Sequence, residues 1–145
     1  MTYLMVAPNG ARKTKVDHPF LPVTSPELVQ TALACWQAGA QGLHAHIRNT
    51  DQSHLLDAGR YCELLALLKE TVPDLEVQVT TEAAGTYQAP EQRQLVLDLR
   101  LEWISLSVRE MAREPDKKIV QDFYTEVAQR EIRIQHILYD ADDLR

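Results

Sequence analysis

The chain is poor in cysteine and has no excess of positive charge. Its two cysteines, Cys35 and Cys62, both fall inside helical patterns. They make no disulfide framework and read as buried thiols of a reducing compartment. Fifteen Lys and Arg stand against 21 Asp and Glu, for a net charge of −6. With no basic run, that balance argues against a nucleic-acid partner. No stretch approaches the roughly 18 apolar residues of a membrane span, and the N-terminus lacks a charged-then-apolar leader. No membrane partner is expected, and the cytoplasm is the expected location. Glycine-rich signatures are missing as well: no G-x-G-x-x-G or P-loop follows the first apolar run. There is no nucleophile elbow, and neither cysteine has a neighbouring histidine pattern.

What remains is the composition of a globular protein, 45% hydrophobic and 25% charged over 145 residues, enough for one domain with a real core. Short apolar or alternating runs recur at intervals of roughly thirty residues, each followed by a helical pattern. Strands are expected at 3–7, 42–47, 75–81, 103–108 and 132–139. The first helix has a clear start: Thr24 and Glu27 have capping-box spacing, Pro26 sits in the first turn, and Gly39 ends the run. Leu28, Thr31, Ala32, Cys35 and Trp36 form its expected buried stripe. Further helices are expected at about 57–71, with Tyr61, Leu64, Leu65 and Leu68 on one face, at 90–100, and at 117–130, with Ile119, Val120, Phe123 and Val127 in register. Residues 141–145 read as the first turn of another helix.

Such β-α alternation implies a parallel sheet with right-handed crossovers. Two architectures compete. Five βα units can make a complete doubly wound sheet of the flavodoxin type. Alternatively, they are a little over half of a (β/α)₈ barrel, which needs about 250 residues. Length favours the first and the ending inside a helix start favours the second.

The stretch with most chemistry is Leu43-His44-Ala45-His46-Ile47-Arg48. Alternation on a strand sends His44 and His46 to one side, about 7 Å apart along the chain. Neutral imidazoles so placed can begin a metal site, and ligands of parallel α/β sheets bind at the carboxyl ends of strands. Two partly buried histidines bonded to neighbouring strand ends would explain the pair equally well. Arg48 could hold a carboxylate or make an ion pair. Thr80, Thr81 and Glu82 at one strand end and Ser105 and Ser107 at another offer hydrogen bonds to a polar substrate, or mark where solvent begins. Arg12, Lys13 and Lys15 could neutralise an anionic tail, or be solvated. His18 and His54 read as exposed loop residues.

Several segments, taken in order, resemble one family. These are Asn9-Gly10-Ala11-Arg12-Lys13-Thr14-Lys15, the loop from Asp17 to Thr24, Ala38-Gly39-Ala40, His44-Ala45-His46-Ile47-Arg48, Gln78-Val79-Thr80-Thr81-Glu82 and Gln135-His136-Ile137-Leu138-Tyr139-Asp140. Together they are similar to the N-terminal half of the β-keto acid cleavage enzymes, whose best-known member acts in lysine fermentation. The resemblance implies a zinc-dependent (β/α)₈ TIM barrel, commonly oligomeric, here about five βα units forming one partial domain over residues 1–145. It implies a transferase that converts a β-keto acid and acetyl-CoA into acetoacetate and a new acyl-CoA. His44 and His46 inherit the role of zinc ligands. Thr80, Ser105 and Ser107 inherit places in the substrate site, with Glu82 and Arg48 as further candidates.

The family's third zinc ligand, a glutamate, its acid–base aspartate and its carboxylate-binding arginine belong to a later part of the barrel with no counterpart in this sequence. The catalytic acid–base residue is therefore unassigned. Arg12 stands where an acidic residue is usual and Ile137 replaces a glutamate, which suggests a different keto acid. Weak or absent activity of the 145 residues alone is expected, unless Glu82 or a partner subunit completes the site. The rival expectation is a non-catalytic, self-associating half-barrel that serves binding or assembly. A flavodoxin-like regulator is weaker still, for want of an acidic phosphoacceptor pocket.

Overall fold

The computed structural model describes residues 2–111 and 114–144. Its order is β1 (Met5–Val6), α1 (Ser25–Gln37), β2 (Gly42–Ala45), β3 (Ile47–Arg48), β4 (His54–Leu55), α2 (Ala58–Thr71), β5 (Glu76–Thr80), α3 (Ala89–Asp98), β6 (Trp103–Ser107), α4 (Val108–Met111), α5 (Lys117–Gln129) and β7 (Arg133–Ile137), then a 3₁₀ turn at Ala141–Leu144. Five of these strands form one sheet in the order β1-β2-β5-β6-β7, with parallel pairing between β1 and β2, β5 and β6, and β6 and β7. Strand order equals chain order. A flavodoxin-type sheet would place its second strand outside its first, so the order decides for consecutive βα units of the barrel kind. Two compact units divide the chain, one up to Gln78 and one from Val79 onward.

In the first unit α1 begins with the expected capping box: the Thr24 side chain accepts from the Glu27 N–H, and Glu27 accepts from the Thr24 N–H. It stops before Gly39, whose φ of 102° is left-handed backbone suited to glycine. Helix α2 starts on Asp57, whose carboxylate accepts from the Arg60 N–H. The core of this unit is Leu28, Val29, Ala32, Leu43, Ala45, Tyr61, Leu64, Leu68 and Val72.

Several expectations need correction here. Trp36 is 38% exposed, because the buried stripe of α1 runs through Val29 instead. Cys62 is exposed and Cys35 half-buried, and both are free thiols, so neither is the buried core thiol expected. The loop after the histidines contains an antiparallel pair, β3 with β4, joining Ile47 to Leu55 and Arg48 to His54. That pairing buries His54 to 7% exposure, where a solvated loop histidine was expected.

In the second unit, Val79 and Thr80 of β5 lie beside Ile104 and Ser105 of β6, which in turn pairs along its length with β7. Leu95, Val96, Leu99, Ile104, Leu106, Met111, Phe123 and Val127 are its core. Ile119, placed in the α5 stripe by its spacing, is 42% exposed. The turn at 141–144 is 3₁₀; the expected helix start also included Arg145, which lies outside the described residues. No helix among the described residues is long and apolar enough to cross a membrane.

Candidate functional site

Strand β2 ends at Ala45 and β3 begins at Ile47, so His46 sits where the chain leaves the parallel sheet for the small hairpin. The two rings converge there. His44 Nε2 and His46 Nε2 are 2.9 Å apart, and His44 Nδ1 lies 2.7 Å from Gln78 Oε1. An amide oxygen only accepts, so His44 Nδ1 carries the proton and donates it to Gln78. The neutral His44 ring then presents the lone pair of its Nε2 to His46. This is the tautomer in which metal-bound histidines are commonly held, one nitrogen at the metal and the other donating to a fixed acceptor.

His46 is 3% exposed and its Nδ1 has no hydrogen-bond partner. Burial pushes its pKa down to about 2, and the nearby charges of His44, His54 and Arg48 push the same way. The ring is therefore neutral, as a metal ligand must be. The ring of His54 lies 5.4 Å from that of His46, centroid to centroid. Among the described residues no group of three or more His, Cys, Asp or Glu is arranged to hold a metal ion.

A tetrahedral zinc ion would hold two imidazole nitrogens roughly 3.3–3.4 Å apart. The observed 2.9 Å separation is a hydrogen bond in which His46 Nε2 donates to His44 Nε2. Ligation by both would need a small opening of the pair and transfer of the His46 proton to its Nδ1, which has no hydrogen-bond partner. The donor chemistry thus fits a metal with two of its protein ligands supplied here.

Around the pair, the main chain is tied down. The Asn9 side chain, 6% exposed, donates from Nδ2 to His46 O at 2.8 Å and to Pro22 O at 3.1 Å. Tyr61 donates from its hydroxyl to Ala45 O at 3.2 Å. Arg48, considered for a carboxylate, directs its fork at carbonyls: Nε to Gly10 O and Nη2 to Lys13 O, both at 2.9 Å, and Nη1 to Gln52 O. Of the basic loop, Lys15 pairs with Glu27 and Lys13 with Asp17.

The other candidate residues lie in the second unit. Thr80 Oγ1 accepts from Glu82 N at 3.0 Å, and Ser107 Oγ accepts from Glu110 N at 3.4 Å. Thr80, Ser105 and Ser107 are all buried, and Glu82 is half-buried. Sequence reasoning gave no role to Gln78 or Asn9. The alternation of Glu76-Val77-Gln78-Val79-Thr80, which puts Gln78 on the same face as Thr80, was the available signal for Gln78.

Fold and site together define a parallel α/β protein with a converging, neutral imidazole pair at the end of its second sheet strand. Comparison with known proteins then gives the family. The sequence profile of the beta-keto acid cleavage enzymes matches residues 2–145, and the chain belongs to that family. It is 32% identical over 104 residues to the 3-oxoadipate:acetyl-CoA acetyltransferase of Cupriavidus necator, an alignment that covers 72% of this chain and 36% of that protein. It is 33% identical over 97 residues to the 3-keto-5-aminohexanoate cleavage enzyme of Acetoanaerobium sticklandii, covering 67% and 35% respectively. The matched part thus spans about a third of these relatives. Among solved structures, the ternary complex of ObcA with a C4-CoA adduct and oxalate matches with a TM-score of 0.68 at 14% identity, covering 87% of this chain and 32% of that one. That likeness shows the fold of consecutive βα units.

Proposed function

We propose that this chain supplies His44 and His46 to a zinc site of a β-keto acid cleavage enzyme, which converts a β-keto acid and acetyl-CoA into acetoacetate and an acyl-CoA. One observation carries the reading: the two Nε2 atoms face each other in neutral rings, with the far nitrogen of His44 held by Gln78. Membership of the family and the names of the relatives agree with it. Zinc held there would supply a Lewis acid for the keto oxygen of the substrate.

The chain's own residues prepare that place. Gln78 keeps the proton of His44 on Nδ1, and burial keeps the His46 ring neutral. Thr80, Ser105 and Ser107 are proposed to contact substrate, together with Glu82, two residues after Thr80. Two imidazoles are fewer than the three protein ligands usual for catalytic zinc. The 145 residues alone are therefore expected to bind zinc weakly and to turn over little or no substrate, and assembly into an oligomer is part of the proposal. Strand β7, last in the sheet order, exposes Arg133, Gln135 and His136, which suits such assembly.

Zinc titration by calorimetry tests the reading. Weak binding that disappears in His44→Ala and His46→Ala, with the circular dichroism spectrum unchanged, is the expected result. Equal binding by the wild type and both variants would overturn it, and would favour the non-catalytic assembly module.

A further inference from the structure

We propose that Arg48 is a positioning residue for the imidazole pair, acting through the Asn9–Lys13 turn and the Asn9 side chain. The inference rests on the reading of His44 and His46 as a metal pair and goes beyond it by naming what aims His46.

The two rings are fixed in different ways. His44 is oriented through its own ring, by Gln78. His46 has no partner at Nδ1 and meets only the His44 ring at Nε2, so the rest of its aim comes from its main chain. Tyr61 fastens the preceding carbonyl, Ala45 O, and one side-chain amide binds the carbonyl of His46 itself: Asn9 Nδ2 donates to His46 O and to Pro22 O. What holds Asn9 is Arg48. Its guanidinium is buried, the residue being 5% exposed, and it gathers the carbonyls of the turn that begins at Asn9. Nε and Nη2 both reach Gly10 O, and Nη2 also reaches Lys13 O. Gly10 makes this possible with a φ of 63°, a left-handed conformation in which glycine is unstrained. Nη1 ties the same fork to Gln52 O, just before the returning strand β4.

A guanidinium presents five N–H donors in a rigid plane, whereas an ammonium is a point charge with three rotatable donors. Lysine at position 48 would keep the charge and lose the fork. The turn would then loosen, Asn9 would lose its register on His46 O, and the His46 ring would lose its aim at His44 Nε2.

The experiment compares wild type, Arg48→Lys, Asn9→Ala and the double variant by three measurements. The ¹⁵N spectra of the imidazole rings are taken in metal-free protein, amide exchange is followed over residues 10–14, and zinc affinity is measured by competition titration. Each single variant should give mixed tautomer signals for His44 and His46, speed exchange in the turn, and weaken zinc binding by about 10–100-fold, as loss of outer-shell support typically does. The double variant should be no worse than the weaker-binding single, since both changes act on one chain of contacts.

Ring signals unchanged in both single variants would overturn the proposal whatever zinc does. Additive losses in the double variant would also overturn it. A failure of the metal reading is seen separately, as zinc binding that His44→Ala leaves intact while the ring signals still respond to Arg48→Lys.

Discussion

Two fully buried glutamines, one in each unit, use their amides differently. Gln78 offers Oε1 to the ring of His44 at 2.7 Å. Gln92 gives Nε2 to Thr81 O at 2.6 Å and to the Glu110 carboxylate at 2.7 Å, and Glu110 also accepts from Ala83 N. The second arrangement closes on the main chain: it fixes the turn after β5, where Ala84 and Gly85 both have positive φ. The first ends on a ring nitrogen whose opposite nitrogen faces another ring. Polar residues at strand ends are common to both units, so their presence alone does not mark a site. Where their hydrogen bonds end separates architecture from chemistry.

The largest effect expected from breaking this comparison lies under the first unit. Tyr61 has no exposed surface and donates to Ala45 O, between the two histidines. Tyr61→Ala should cost about 3–5 kcal/mol, as for other large aromatic truncations. Tyr61→Phe keeps the packing, loses the hydroxyl, and should cost about 1 kcal/mol. Urea unfolding midpoints measure both. A small cost for Tyr61→Ala would mean that the strand with the histidines is held mainly from elsewhere.

The glutamines themselves come next. Gln92→Ala strands Thr81 O and part of the Glu110 carboxylate, so a loss of about 1–3 kcal/mol is expected, with zinc affinity unchanged. Gln78→Leu should do the reverse. Zinc binding should weaken by about 10–100-fold, while the unfolding midpoint moves less than in Gln92→Ala. If both variants lose stability and neither loses zinc, the two units are alike, and the distinction drawn between them fails.

The same contrast governs how much could be read from the sequence. The start of α1 was legible because Thr24, Pro26 and Glu27 act on one another within a single turn, and α2 because Tyr61, Leu64 and Leu68 recur at helical spacing. The histidine pair was legible because alternation on a strand is a local rule. The burial of His54 was not, since it depends on a pairing of two-residue strands too short to show any period. Nor were the parts of Gln78, Asn9 and Arg48: the bonds from Gln78 to His44, from Asn9 to His46 O and from Arg48 to Gly10 O each span more than thirty residues, and no local spacing encodes such contacts. Trp36 misled for a related reason. Helical spacing defines a stripe, but the neighbouring elements decide how wide a stripe is covered.

The smallest effect concerns the long loop between β1 and α1, which the first unit fastens by charge as well as by Asn9 and Arg48. Glu27 accepts hydrogen bonds from Lys15 and from the Val23 and Thr24 N–H groups. These bonds lower its pKa from 4.5 to about 2, the Lys15 bond most of all. Between those two values the unfolded chain binds a proton that the folded chain does not, so stability rises with pH over that range. The contribution is present above about pH 4.5 and is lost as pH falls toward 2. The side chain is 38% exposed, and after solvent screening the effect should stay below about 1 kcal/mol. Glu27→Gln should therefore be less stable than wild type at pH 6, and the gap should narrow below about pH 4.5 and be mostly gone by about pH 2 in paired denaturant titrations. A gap of constant size across that range would mean that Glu27 acts as a neutral cap, and that the loop is held by Asn9 and Arg48 without help from the Glu27 charge.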